Sequence, residues 1–187
     1  MIYISIDIET TGVDPKNCQI LEIGAIIEDS NKLLDYENLP KFHCYINQSN
    51  FVGSEYALNL NKNIIEIIKE GKHSNIKDKD QVVTDFANWL FFNGFDPNES
   101  GKILITVAGK NFARFDYRFL ELLPNWNNLI QVRHRILDPM HNYIDWKNDL
   151  VPPSLNDCLN RAGFNKEVSH LALEDAWDII KLLRKSY

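Results

Sequence analysis

The chain has 187 residues, 44% of them hydrophobic and 25% charged, which is enough for one folded domain spanning 1–187 with a substantial core. No apolar run approaches the length of a membrane span, and the N-terminus lacks a basic segment leading into a hydrophobic stretch, so no membrane contact or signal peptide is expected and the cytoplasm is the default location. Acidic residues outnumber basic ones 26 to 20, a net charge of −6, which opposes a protein built to grip long duplexes but admits a short or single strand held by a local cluster such as Lys110, Arg114, Arg118, Arg133 and Arg135. Cys18, Cys44 and Cys158 are widely spaced and odd in number, which fits reduced thiols better than disulfides or a thiolate zinc site.

Ile2, Ile4, Ile6 and Ile8 alternate with Tyr3, Ser5, Asp7 and Glu9, the period of a strand, so Asp7 and Glu9 share a face. Gln19 to Ile27 reads as a second strand, reached through a turn at Asp14-Pro15, and Phe42 to Ile46 as a third strand of the same meander. Leu60, Ile64, Ile65, Ile67 and Ile68 predict a short amphipathic helix ending near Gly71 within the otherwise polar stretch from Asn47 to Asp80, and Gln81 to Phe92 a second helix. Ile103 to Val107 is β-rich. Phe112, Phe115, Phe119, Leu120 and Leu123 then recur at helical spacing before Pro124, with Asn111 at the N-cap position. Val132 to Leu137 predicts a further strand, Leu155 to Ala162 a short helix opened by a capping box at Ser154 and stopped at Gly163, and Leu171 to Arg184 the last helix.

Two neighbouring carboxylates at a strand end repel each other unless a proton or divalent cation neutralises them, and oxygen ligands suit Mg²⁺ or Mn²⁺; a solvated strand end is the plainer alternative. Asp116 reads alone as an exposed helix residue, and Asp175 and Asp178 as the solvated face of the last helix. His170 and Asp175 lie five positions apart, about 140° around a helix, so His170 belongs on a loop or first turn if both serve one site.

Taken together, Asp7-Ile-Glu9-Thr-Thr-Gly12, Asn111-Phe-Ala-Arg-Phe-Asp116 and His170-Leu-Ala-Leu-Glu-Asp175 follow the order and approximate positions of the three motifs of the DEDD superfamily of 3′→5′ exonucleases. The H-x4-D form of the third resembles the DEDDh, or DnaQ-like, branch, which includes polymerase proofreading subunits, oligoribonuclease and ribonuclease T.

That resemblance implies an α/β ribonuclease H-like fold: a mixed five-stranded sheet, its first three strands antiparallel, with helices on both faces. It implies that Asp7, Glu9, Asp116 and Asp175 are catalytic ligands of two Mg²⁺ or Mn²⁺ ions, one activating water and the other stabilising the leaving 3′ oxygen, and that His170 is the general base. Thr10, Thr11 and Gly12 resemble the segment that contacts the terminal nucleotide, and Asn111 would bind substrate or orient the second motif. The activity implied is hydrolysis of single-stranded DNA or RNA from its 3′ end to nucleoside 5′-monophosphates. The alternatives are an oligoribonuclease-like enzyme for short RNAs and a non-catalytic nucleic-acid-binding or polymerase-associated module. Expected partners are single-stranded 3′ ends, a polymerase or other replication or repair protein acting in trans, and a second copy in a homodimer.

Overall fold

The computed structural model describes residues 1–165 and 168–187, and its centre is the expected antiparallel meander of β1 (Ile2–Thr10), β2 (Ile20–Asp29) and β3 (Lys41–Ile46). Ile4, Ile6 and Ile8 pack with Val82, Val83, Phe86 and Leu90 of the first long helix, α3 (Lys79–Phe92), numbered after α1 (Glu55–Leu60) and α2 (Lys62–Glu70). On the opposite face, Tyr3 packs against Ala176, Ile179 and Ile180 of α7 (Ala172–Arg184), and Ser5 Oγ donates to the Ala176 carbonyl at 2.7 Å. The alternation in β1 therefore separates two cores, and strand periodicity carries Asp7 and Glu9 onto the α7 face.

Two short parallel strands complete a mixed five-stranded sheet in the order β4-β3-β2-β1-β6: β4 (Ile76–Lys77) beside β3 and β6 (Val107–Ala108) beside β1. At two residues, β4 is too short to impose a pattern on the polar stretch that contains it. The run 103–107 divides at Thr106, whose carbonyl accepts from Ile4 N–H; the preceding piece, β5 (Ile103–Ile105), pairs instead with β7 (Ile130–Val132). The strand predicted over Val132–Leu137 is corrected accordingly. Regular pairing ends at Val132, the exposed Arg133, His134 and Arg135 follow it, and Leu137 makes only an isolated bridge to Ala108.

The helix predicted near Leu60–Ile68 forms as α1 and α2, joined at Asn61, and α2 ends at Gly71, whose φ of 65° lets its N–H reach the carbonyls of Ile67 and Ile68. The helix predicted over Phe112–Leu123 is shorter: α4 covers Asp116–Leu120, with Phe115 at its N-cap. Asn111 is thus not the cap. Its backbone sits at φ 58°, its N–H donates to Asp138 Oδ2 at 2.9 Å, and its carbonyl accepts from Arg114 and Phe115, so a tertiary contact replaces the first helical turn with turns. After α5 (Trp126–Leu129), α6 (Leu155–Arg161) opens with the expected capping box between Ser154 and Asp157. No helix among the described residues is long and apolar enough to cross a membrane.

Candidate active site

The site forms where β1 runs past its parallel neighbour. β6 pairs only with Ile4 and Ser5, so the outer edge of β1 is open beyond them, and Ile8 N–H finds Asp116 Oδ1 at 3.2 Å instead. Asp116, in the first turn of α4 and 3% exposed, is therefore tied to the backbone between Asp7 and Glu9. Asp175 comes from the first turn of α7, 4% exposed, with Ser169 Oγ donating to its Oδ1 at 3.1 Å. The solvated roles open to Asp116, Asp175 and Asp178 in the sequence do not describe them: all are buried, and Asp178 is ion-paired with Lys181. His170 is exposed on the loop before α7 with φ 53°, off the regular helix as its spacing from Asp175 requires.

Glu9, His170 and Asp175 each present one ligand atom within 4.8 Å of the others. Burial pushes Asp7 well above the usual carboxylate range, and the charges of Asp116, Asp175, Glu9 and Glu22 push it further. Asp116 is raised to about 8, by burial first; hydrogen bonds from backbone N–H groups, including that of Ile8, oppose the rise, and Glu9 adds to it. Glu9 is raised to about 7 by burial, opposed by a hydrogen bond from Asn61 and reinforced by Asp175 and Glu22. These acids gather in a place that penalises their own charge. Protons relieve it at low pH; at neutral pH hard divalent cations relieve it better, and an all-carboxylate set with one imidazole alongside is a donor set that suits them.

The remaining expected residues frame the cluster. Thr10 and Thr11 are buried with their hydroxyls committed internally, Thr10 Oγ1 donating to the Gly12 carbonyl at 2.7 Å and Thr11 Oγ1 to the Val52 carbonyl at 2.6 Å, and the Thr11 backbone is bonded to Gln19 and Ser54, so these groups hold the end of β1 in place. Gly12 is also packed, since a Cβ there would lie 2.6 Å from Cys18 Sγ. Asn111 shapes the turn into Asp116 through its carbonyl, and its side chain is exposed.

Two further residues stand at the site that no motif position assigns to it. Asn61, 3% exposed, donates from Nδ2 to the Thr10 carbonyl at 3.0 Å and hydrogen-bonds Glu9, while its own Oδ1 is buried with no partner. Glu22 stands directly across the ladder from Glu9, 1% exposed. The signal for Glu22 is a lone acid in an apolar strand run, and Asn61 closes the segment 57–61 ahead of α2, whose resemblance to a 3′-end contact is too weak to assign it a role.

The chain is similar to known nucleases in sequence and in fold. The RNase_T exonuclease family model matches residues 4–183. The oligoribonuclease of Acinetobacter baylyi is 25% identical, over 97% of this chain and 90% of that protein. A PolC-type DNA polymerase III of Clostridium perfringens is 24% identical over 99% of this chain, which corresponds to 11% of the polymerase. The crystal structure of the nuclease domain of 3′hExo, a DEDDh family member bound to rAMP, superposes with a TM-score of 0.63 at 14% identity, covering 98% of this chain and 90% of that one, and shares its fold. With the family model spanning all three motifs, the chain belongs to the RNase_T exonuclease family.

Proposed function

We propose that this protein, as one domain acting in the cytoplasm, hydrolyses single-stranded DNA or RNA from a free 3′ hydroxyl and releases nucleoside 5′-monophosphates with Mg²⁺ or Mn²⁺ as cofactor. The observation that carries this reading is the convergence of acids from three separated segments: Glu9 and Asp175 reach His170 within 4.8 Å, and Asp116 is hydrogen-bonded to the backbone between Asp7 and Glu9.

Asp7, Glu9, Asp116 and Asp175 would hold two divalent cations, which supply Lewis-acid charge to activate the attacking water and stabilise the leaving 3′ oxygen. A ring nitrogen of His170 would accept the proton of that water, and its exposed loop position lets the imidazole swing over the terminal phosphodiester. The segment of Thr10, Thr11 and Gly12 would border the terminal nucleotide, and Asn61 would steady the Glu9 carboxylate. Asn111 sets the entry to Asp116 and borders the strand's path.

The deficit of basic residues and the identity with oligoribonucleases favour short single-stranded RNA among these substrates. A second reading, a proofreading exonuclease that works beside a polymerase, draws on the match to PolC. Matched 5′-labelled RNA and DNA oligomers of two to twenty-four nucleotides, digested with Mn²⁺ and resolved with mass analysis of the products, separate the two. Preferential conversion of the shortest RNAs supports the first reading, DNA preference supports the second, and internal cleavage of a circular single strand contradicts both.

A further inference from the structure

On the exonuclease reading of the cluster, we propose that Glu22, backed by His43, is a positioning residue that fixes the start of α7 and thereby sets where His170 and Asp175 stand. Leu171, the N-cap residue of α7, gives no side-chain cap, so the helix must find an acceptor for its first N–H groups elsewhere. Glu22 Oε2 supplies one, accepting from Ala172 N–H at 3.0 Å. The carboxylate also sits at the positive end of a 13-residue helix, the end that favours an anion. Ala172 lies two residues after His170 and three before Asp175, so this single bond anchors the segment that carries both.

The second oxygen is held as firmly. Glu22 Oε1 lies 2.6 Å from His43 Nε2, and His43 Nδ1 lies 3.2 Å from Asn75 Nδ2. An amide donor on Nδ1 leaves the ring proton on Nε2, where it donates to Glu22. With one oxygen committed to His43 and the other to α7, Glu22 is an anchor rather than a fifth ligand. Gly24, two residues along the same strand, fixes the height of the helix: a Cβ there would lie 2.3 Å from Leu173 N and 2.4 Å from the Ala172 carbonyl carbon. Glu22 and Gly24 thus both act on the start of α7 at Ala172 from one strand.

The test uses the full chain and the variants Glu22→Ala, Glu22→Gln and His43→Ala, each followed by thermal melting, single-turnover hydrolysis of a 5′-labelled oligomer at saturating Mn²⁺, Mn²⁺ calorimetry and hydrogen exchange at the Ala172 amide. Glu22→Ala, at a temperature where it is folded, should lose at least tenfold in kcat with KM little changed, bind Mn²⁺ more weakly and exchange faster at Ala172. Glu22→Gln keeps an acceptor for Ala172 and should recover most of the rate. His43→Ala should lose severalfold in kcat, and it decides the matter if Glu22→Ala does not fold. Wild-type kcat and Mn²⁺ affinity in folded Glu22→Ala, or in His43→Ala when that is the variant that folds, would overturn the positioning role. A wild-type protein that releases no mononucleotide would instead sink the exonuclease reading, and Mn²⁺ affinity and Ala172 exchange would still decide the role of Glu22.

Discussion

Ile8 donates its backbone N–H to Asp116 Oδ1 at 3.2 Å, so an acid from the middle of the chain is fastened to the first strand between Asp7 and Glu9. The bond serves two ends. It satisfies an edge amide that β6 leaves open, and it fixes the orientation of the Asp116 carboxylate.

Asp116→Asn therefore separates fold from function. The amide oxygen still accepts from Ile8, so the melting temperature should stay within a few degrees of wild type. The lost charge should lower hydrolysis by at least about 100-fold, since even residues that only support metal ligands cost roughly 10–100-fold when removed. Thermal melting and single-turnover kinetics on the same preparation check both halves.

The acid cluster sets a pH dependence whose sign follows from the raised values. Glu9 at about 7 and Asp116 at about 8 hold protons in the folded state that the unfolded chain has already released, so between about pH 4 and pH 8 the folded state binds more protons. Stability of the metal-free protein should be greatest at the acid end of that window, fall as pH rises through it, and level off above about 8. Mn²⁺ should restore most stability at pH 8 and least near pH 5, where protons compete. Melting curves at half-unit intervals with EDTA or Mn²⁺ test this; an EDTA curve that rises from pH 5 to 8 would contradict it.

Asp7→Asn removes one member of the repelling set, whose carboxyl burial and its acidic neighbours push well above the usual range. It should raise the melting temperature of the metal-free protein at pH 8 while nearly abolishing hydrolysis, a trade of activity against stability that strained sites show. Calorimetric melting in EDTA gives the first effect and the labelled-oligomer assay the second.

His170→Ala should reduce turnover by roughly 10²–10⁴-fold, the range for a lost general base, with Mn²⁺ affinity little altered because the carboxylates satisfy hard cations better than nitrogen does. The imidazole lies close enough to Glu9 and Asp175 to be a ligand, so Mn²⁺ calorimetry is the deciding readout. A variant with one cation lost and normal rate at saturating Mn²⁺ would make His170 a ligand instead.

Much of this was legible in the sequence because it depends on short-range patterns. The alternation of β1, the capping box at Ser154 and the glycine stop at Gly71 each follow from local rules, and the three motifs carry the acids. What local pattern could not supply was the effect of tertiary partners. Asp138 captures Asn111 N–H and cancels the helical turn predicted there; Thr106 hands the chain from β7 to β1 and splits one apparent strand in two. Glu22 gains its place at the site only through cross-strand register, and Asn61 only through its side-chain hydrogen bond to the Thr10 carbonyl from the junction of α1 and α2.

Asp7, Glu9, Asp116 and Asp175 are expected to form one centre that binds divalent cations. Crystals soaked in Mn²⁺ at pH 8 and measured at the manganese edge test it most directly. Two anomalous peaks among these carboxylates, lost in Asp7→Asn, are the expected result. Full Mn²⁺ occupancy elsewhere on the protein, with none at this cluster in crystals of active enzyme, would contradict it.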